Sequence, residues 1–139
     1  MKNKKDRIND YCDFMSLAPT ERFFSHAVEL DDMGFFTAPA SIKYHGAYGG
    51  GLFDHSLEVA KQLLKLTVNL GLMWERPESP YIVGMYHDLC KCDNYKWDIE
   101  TDKYIYNPEI IIPGHGEKSV MILQKFIDLT DEEIACIRW

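Results

Sequence analysis

The sequence predicts an all-α fold, a mainly helical bundle with one inserted β-hairpin. Three observations carry that prediction. Apolar residues recur at three- and four-residue spacing, most regularly between Leu52 and Leu70. Helix start signals, Ser79-Pro80 and Thr130-Asp-Glu-Glu133, stand before short apolar runs. Only the stretch from Tyr95 to Tyr106 alternates at the period of a strand. The 139 residues fit one domain, 1–139, with N-terminal helices in 1–34 leading into the core, and the chain is long enough to bury a core without staples.

The elements follow in order. A helix starts after Ala18-Pro19-Thr20, runs through Glu21 to Leu30 with apolar residues on one face, and stops at Asp31-Asp32-Met33-Gly34. His26 sits within it, and a structural role is expected for it. Phe35 and Phe36 anchor a connector. A glycine-rich loop, Tyr44 to Gly51, precedes the long helix, in which positions 52, 59, 63, 66 and 70 define a buried stripe and Gly71 is the C-cap. His55 falls on that stripe and is expected to point at the core. Ser79 as N-cap and Pro80 at the first helical position open a short buried helix that runs from Tyr81 to His87-Asp88. Tyr95 to Ile99 and Tyr104 to Tyr106 form the hairpin around a turn at 100–103, and Asn107-Pro108 ends it. Gly114 to Ser119 open a helix that reaches Phe126-Ile127, and the capping box at Thr130 starts a last helix ending at Trp139.

Composition excludes several classes. Hydrophobic residues at 46% and charged residues at 27% are those of a globular protein, not of a disordered one. The N-terminus, Met-Lys-Asn-Lys-Lys-Asp, leads into no apolar run, and no stretch is long enough to cross a bilayer, so no membrane partner and a cytoplasmic location are expected. Cys12, Cys90, Cys92 and Cys136 lack the spacing of a disulfide framework, and Cys90-Lys-Cys92 leaves too few residues between thiols for a zinc knuckle. A net charge of -7 disfavours nucleic acid as a partner, although a bound divalent metal can reverse the potential locally and admit a small phosphate-bearing ligand.

The chemistry is concentrated in His87-Asp88, two metal-ligand side chains at the end of an apolar segment. A carboxylate beside a packed core is costly unless a cation offsets it. His55, the pair His87-Asp88 and His115 come from three separate helices or helix ends, and together they make a mixed nitrogen and oxygen donor set suited to zinc, iron, manganese or nickel. Any one of these histidines has the alternative of a satisfied polar residue, but the four together point to a metal site.

The order His55, His87-Asp88, His115 resembles the HD superfamily of metal-dependent phosphohydrolases, and Tyr86-His-Asp-Leu-Cys-Lys91 is similar to its central signature. The nearer resemblance is to the HD domain of bacterial 3′–5′ exoribonucleases and small stand-alone relatives, through His45-Gly-Ala47, Gly50-Gly-Leu-Phe-Asp-His55 and Gly114-His-Gly-Glu-Lys-Ser119, over about residues 35–139. The resemblance implies that His55, His87 and Asp88 are ligands, with Asp88 able to bridge two metals, and that His115 is the extra ligand of a second ion. It implies one or two divalent ions among Mn, Fe, Ni, Zn and Mg. Lys91 matches a basic residue near the phosphate, with a solvated lysine as the alternative. Cys90 replaces the usual glycine. The family also calls for a late aspartate and, in two-metal members, a histidine before it. This chain ends at Ala135-Cys-Ile-Arg-Trp139, while Asp128 and Asp131 flank Thr130 and serve the helix start. The expectation is a chain truncated relative to its relatives or a metal shell open on that side, with Ile137 and Trp139 exposed or covered by a second subunit as a homodimer.

The implied function is hydrolysis of a nucleotide or other small phosphoester, with Asp88, Lys91 and His45 as catalytic candidates. The cation would acidify water and screen developing charge, Asp88 would orient the water, and His45 would bind phosphate or protonate the leaving oxygen. Tyr44, Tyr48, Trp97 and Tyr104 are candidates for a base-stacking wall, or else pack the loop and hairpin on the bundle. The alternatives are a 3′–5′ exonuclease or cyclic-nucleotide phosphodiesterase, and a non-catalytic metal- or ligand-binding module.

Overall fold

The computed structural model describes residues 2–19, 26–110, 112 and 114–139. Helix α1 (Lys4–Met15) starts at a capping box in which the Asn3 side chain accepts from the Asp6 N–H and Asp6 accepts from Asn3 N–H. It buries Arg7, Tyr11, Phe14 and Met15. Residues 20–25 of the expected second helix lie outside the described residues. Its described part is α2 (Ala27–Asp32), with His26 at the N-cap and its ring against Phe126 at 4.9 Å between centroids, the structural role its sequence context suggested. Phe35 and Phe36 are fully buried and meet Phe53 at 5.9 and 5.4 Å, so the connector is part of the core.

Helix α3 (Gly51–Leu70) and α4 (Ser79–Tyr86) make the main packing interface. Their approach depends on Gly84, where a Cβ would lie only 2.4 Å from Ala60 Cα. The buried face of α3 is Leu52, Phe53, Ser56 and Ala60, whereas Leu66 and Leu70 are 48% and 67% exposed, which corrects the expected stripe. The reason is length. The twenty residues of α3 span about 30 Å and the eight of α4 only about 12 Å, so the second half of α3 runs beyond its cover. His55 is likewise half-buried at the edge of the helix interface, not turned into the core.

Ser79 is the first residue of α4 rather than its N-cap, which is Glu78. Its buried hydroxyl instead donates to Glu133 Oε2 at 2.6 Å. After α4 come a 3₁₀ turn (Leu89–Cys92) and the antiparallel strands β1 (Tyr95–Asp98) and β2 (Lys103–Tyr106). The hairpin turn is held by Asp98, which accepts from the Glu100 and Thr101 amides, with Asp102 at φ +54°. Helix α5 (Gly116–Leu123) packs on the 3₁₀ turn and on α6 (Asp131–Arg138), where Gly116 lets the backbone of Arg138 approach to 2.5 Å of where a Cβ would be.

The capping box at Thr130 forms as the sequence predicted, and its Glu133 does more than cap. Fully buried, Glu133 receives Arg76 through Nε at 2.8 Å and Nη2 at 2.7 Å besides Ser79, tying the start of α6 to the segment before α4. Ile137, expected to be exposed, is buried in the core, while Trp139 is 91% exposed. The fold is therefore mainly helical with one inserted hairpin. None of the described helices is long and apolar enough to cross a membrane.

Candidate metal centre

His55 is positioned by the start of α3, and that start is fixed from three sides. Gly50 takes the left-handed conformation at φ +91°, and a Cβ there would collide with the guanidinium of Arg7 at 2.2 Å. Arg7, from α1, grips Asp54 with two hydrogen bonds of 3.0 Å, from Nε and Nη2, and its Nη1 donates to the Lys2 carbonyl at 2.7 Å. Tyr48 of the glycine-rich loop donates to the same Asp54 carboxylate at 2.8 Å. Burial alone would raise the Asp54 pKa, but the Arg7 and Tyr48 hydrogen bonds and the Arg7 charge hold it below the usual carboxylate range. The residue beside His55 is thus an anchored carboxylate.

His87 is the C-cap of α4, and Asp88 stands between that helix and the 3₁₀ turn. His87 Nδ1 lies 2.9 Å from the Gly84 carbonyl, which can only accept, so Nδ1 carries the proton and Nε2 is left with its lone pair. That Nε2 is 3.3 Å from Asp88 Oδ2, and His55 Nε2 is 3.5 Å from the same oxygen. The His55 and His87 rings are 5.5 Å apart between centroids. One donor atom from each of His55, His87 and Asp88 fits within a group no wider than 4.8 Å. Lys91 Nζ completes the surroundings of Asp88 at 3.3 Å. The turn itself is pinned from α5, where the buried Ser119 hydroxyl accepts the Cys90 N–H at 3.0 Å.

These residues fit a divalent cation. An imidazole lone pair aimed at a carboxylate oxygen is repulsive unless a proton or a cation lies between them. The two nitrogen-to-oxygen separations match the edge of roughly 3.4 Å expected between two ligands about 2.1 Å from a tetrahedral ion. Without a cation, protons take its place. Burial would raise Asp88, yet hydrogen bonds from His55 and His87 and the charges of His87 and Lys91 hold it well below the usual carboxylate range. Burial would lower His87, but the bond and charge of Asp88 push it up. Two nitrogens and one carboxylate leave coordination positions free for water and substrate.

His45, expected at the site, is exposed on the loop with its ring 6.2 Å from that of His55, at the rim of the centre. Lys91 is at the centre. His115 is not in the donor group. It is the exposed N-cap of α5, so the three-residue set is what the described residues bring together. Cys90 is also outside the group, and burial raises its thiol pKa. Tyr48 serves Asp54, while Tyr44 is exposed. Sequence reasoning missed Arg7, Gly84 and the role of Ser119. Only the last had a signal, as the serine of the Gly114-to-Ser119 element.

Among family models, the one described as HD domain matches residues 52–137, about three-fifths of the chain. No curated protein and no solved structure matches it.

Proposed function

The chain belongs to the HD-domain family, and we propose that its His55, His87 and Asp88 centre hydrolyses a nucleotide or another small phosphoester. HD domains are in general metal-dependent phosphohydrolases, and a His55, His87 and Asp88 cluster that could hold a divalent metal is present. The observation that carries the reading is the convergence of two imidazole Nε2 atoms on one Asp88 oxygen, with Lys91 on the same oxygen. When bound, a divalent cation supplies charge that polarises a phosphoryl oxygen and acidifies water.

The protein residues have separable tasks. His55 and His87 hold the cation through Nε2, and the Gly84 carbonyl keeps the His87 ring in that tautomer. Asp88 is a ligand whose second oxygen orients water. Lys91, drawn to Asp88, offers its ammonium to a phosphate oxygen, and half-burial strengthens that attraction. His45, at the rim, protonates the leaving oxygen or binds the phosphate. His115 takes part only if a second ion sits beside α5.

The likeness of His45, Gly50-Gly-Leu52 and His115 to exoribonuclease HD domains supports 3′–5′ exonuclease or cyclic-nucleotide phosphodiesterase activity as a narrower form of the same reading. A non-catalytic metal- or ligand-binding module is favoured by one observation, the limitation of the donor group to three side chains among the described residues.

The test is metal analysis of the purified protein with a phosphoester screen in added manganese, nickel, iron, zinc or magnesium. Metal with turnover, both lost in His55→Ala and Asp88→Asn, supports the enzyme. Metal without turnover supports the module, and no metal removes both. His115→Ala with unchanged metal stoichiometry makes that residue a bystander.

A further inference from the structure

Four aromatic rings stand on one face of the hairpin. The register pairs Tyr95 with Tyr106 and Trp97 with Tyr104. Residues two apart on a strand share a face, so all four side chains project from the same side, opposite Lys96, Asp98, Lys103 and Ile105. Each pair is in ring contact, at 5.6 and 5.1 Å between centroids.

The inner end of this face follows the 3₁₀ turn that carries Lys91. Tyr95 stands four residues after Lys91 and is half-buried. Tyr104 meets the glycine-rich loop, where its hydroxyl would be 3.2 Å from a Cβ on Gly49. That loop carries His45, whose ring is 6.2 Å from that of His55, so the hairpin meets the loop that forms the rim of the centre. The outer rings stay uncovered, Trp97 at 50% and Tyr106 at 68% exposure. Cross-strand contact accounts for the pairing of the rings, but not for leaving the Trp97 indole half in water.

We propose that this aromatic face binds the base of a mononucleotide, which stacks on Trp97 while its phosphate lies at His55, His87, Asp88 and Lys91. The placement of the phosphate rests on the phosphohydrolase reading. The base position follows from reach, since Trp97 is two residues beyond Tyr95, about 7 Å along the strand. The charge distribution selects a mononucleotide over a polymer. The chain carries a net charge of -7, which repels a polyanion extending past the base. Ring faces accept any base, so this site ranks nucleotides weakly among themselves and strongly against base-free phosphates.

The test reads the three tryptophan indole N–H signals by NMR, assigned by Trp97→Phe, during titration with AMP and with ribose 5-phosphate in added zinc, each spectrum recorded before measurable phosphate release. The expected result is a shift of the Trp97 signal by AMP alone, with AMP binding about tenfold tighter than ribose 5-phosphate. That preference should fall to about onefold in Trp97→Ala and survive in Trp97→Phe, which keeps a ring and guards against misfolding of the alanine variant. A Trp97 signal that ignores AMP, or a preference that persists in Trp97→Ala, overturns the base site. A protein that passes this test yet cleaves no phosphoester keeps the base site and loses the hydrolase reading. One that cleaves AMP and ribose 5-phosphate with equal KM loses the base site alone.

Discussion

Gly84→Ala is the sharpest perturbation of the centre that touches none of its ligands. Gly84 is in α4, three residues before His87, and faces Ala60 in α3, five residues after His55. The added Cβ would lie 2.4 Å from Ala60 Cα, 2.8 Å from its Cβ and 2.9 Å from its nitrogen. Ordinary carbon contacts need about 3.5 to 4.0 Å, so the helices must part by roughly 1 Å. Two of those three atoms are backbone, and no rotamer change relieves them. Overpacking of this kind costs about 1–3 kcal/mol, which in a domain of this size lowers Tm by roughly 3–10 °C. The same parting separates His55 from His87 and Asp88 by several times the tolerance of about 0.2 Å on a metal bond. Metal affinity should fall about 10- to 100-fold, the scale of losses from mispositioned ligands. Calorimetric melting and chelator competition give the two numbers. Gly71→Ala is the control. Gly71 is the αL cap of α3 with nothing within 4 Å of a new Cβ, so its strain at φ +62° lowers Tm while leaving metal affinity unchanged. A Gly84→Ala protein with native Tm and native affinity would show that α3 and α4 do not set the donor spacing, and would refute this account.

Arg7→Ala removes the bidentate partner of Asp54 and the packing under Gly50, so metal affinity should fall several-fold in chelator competition; Arg7→Lys should not restore it, because an ammonium cannot reproduce the paired geometry. Glu133→Gln removes the buried partner of Arg76, which keeps Glu78 at 3.4 Å, and should cost about 1–3 kcal/mol in urea unfolding. Glu133 has its pKa lowered, against the effect of burial, by Arg76, Ser79 and the Thr130 amide, so its contribution is present above the unfolded carboxylate value and lost as pH falls through the folded one. The native protein should therefore lose stability on acidification below about pH 4.3, with a shallower slope in Glu133→Gln; equal slopes would place the acid lability elsewhere. Ser119→Ala leaves the Cys90 N–H unsatisfied in a buried turn, and should cost about 1–3 kcal/mol by thermal melting while weakening metal binding less than Asp88→Asn does.

The part of the centre legible in the sequence is the part that is local in the chain. His87 and Asp88 are neighbours, Lys91 is one turn on, and the glycines before His55 announce a helix start, so donor chemistry could be read without knowing the fold. What holds the donors was not legible, because it joins distant segments: Arg7 to Asp54 across 47 positions and Arg76 to Glu133 across 57. The capping box at Thr130 shows the limit. Its local role is readable from Thr-x-x-Glu, but the same Glu133 side chain also takes Arg76 and Ser79, and Ser79, whose Ser-Pro context predicted an N-cap, is the first helical residue with its hydroxyl on Glu133. The α3 stripe failed for a related reason. Helical periodicity says which residues share a face, while burial depends on how far a partner extends, and α4 ends before Leu66 and Leu70 are reached. His115 tests the same distinction within the site. Its motif places it at a helix start, but donors act together only when the backbone brings them within one coordination sphere. For His55, His87 and Asp88 it does so through the close approach of α3 and α4 at Gly84, and α5 contributes to that centre through Ser119 rather than through its exposed N-cap histidine.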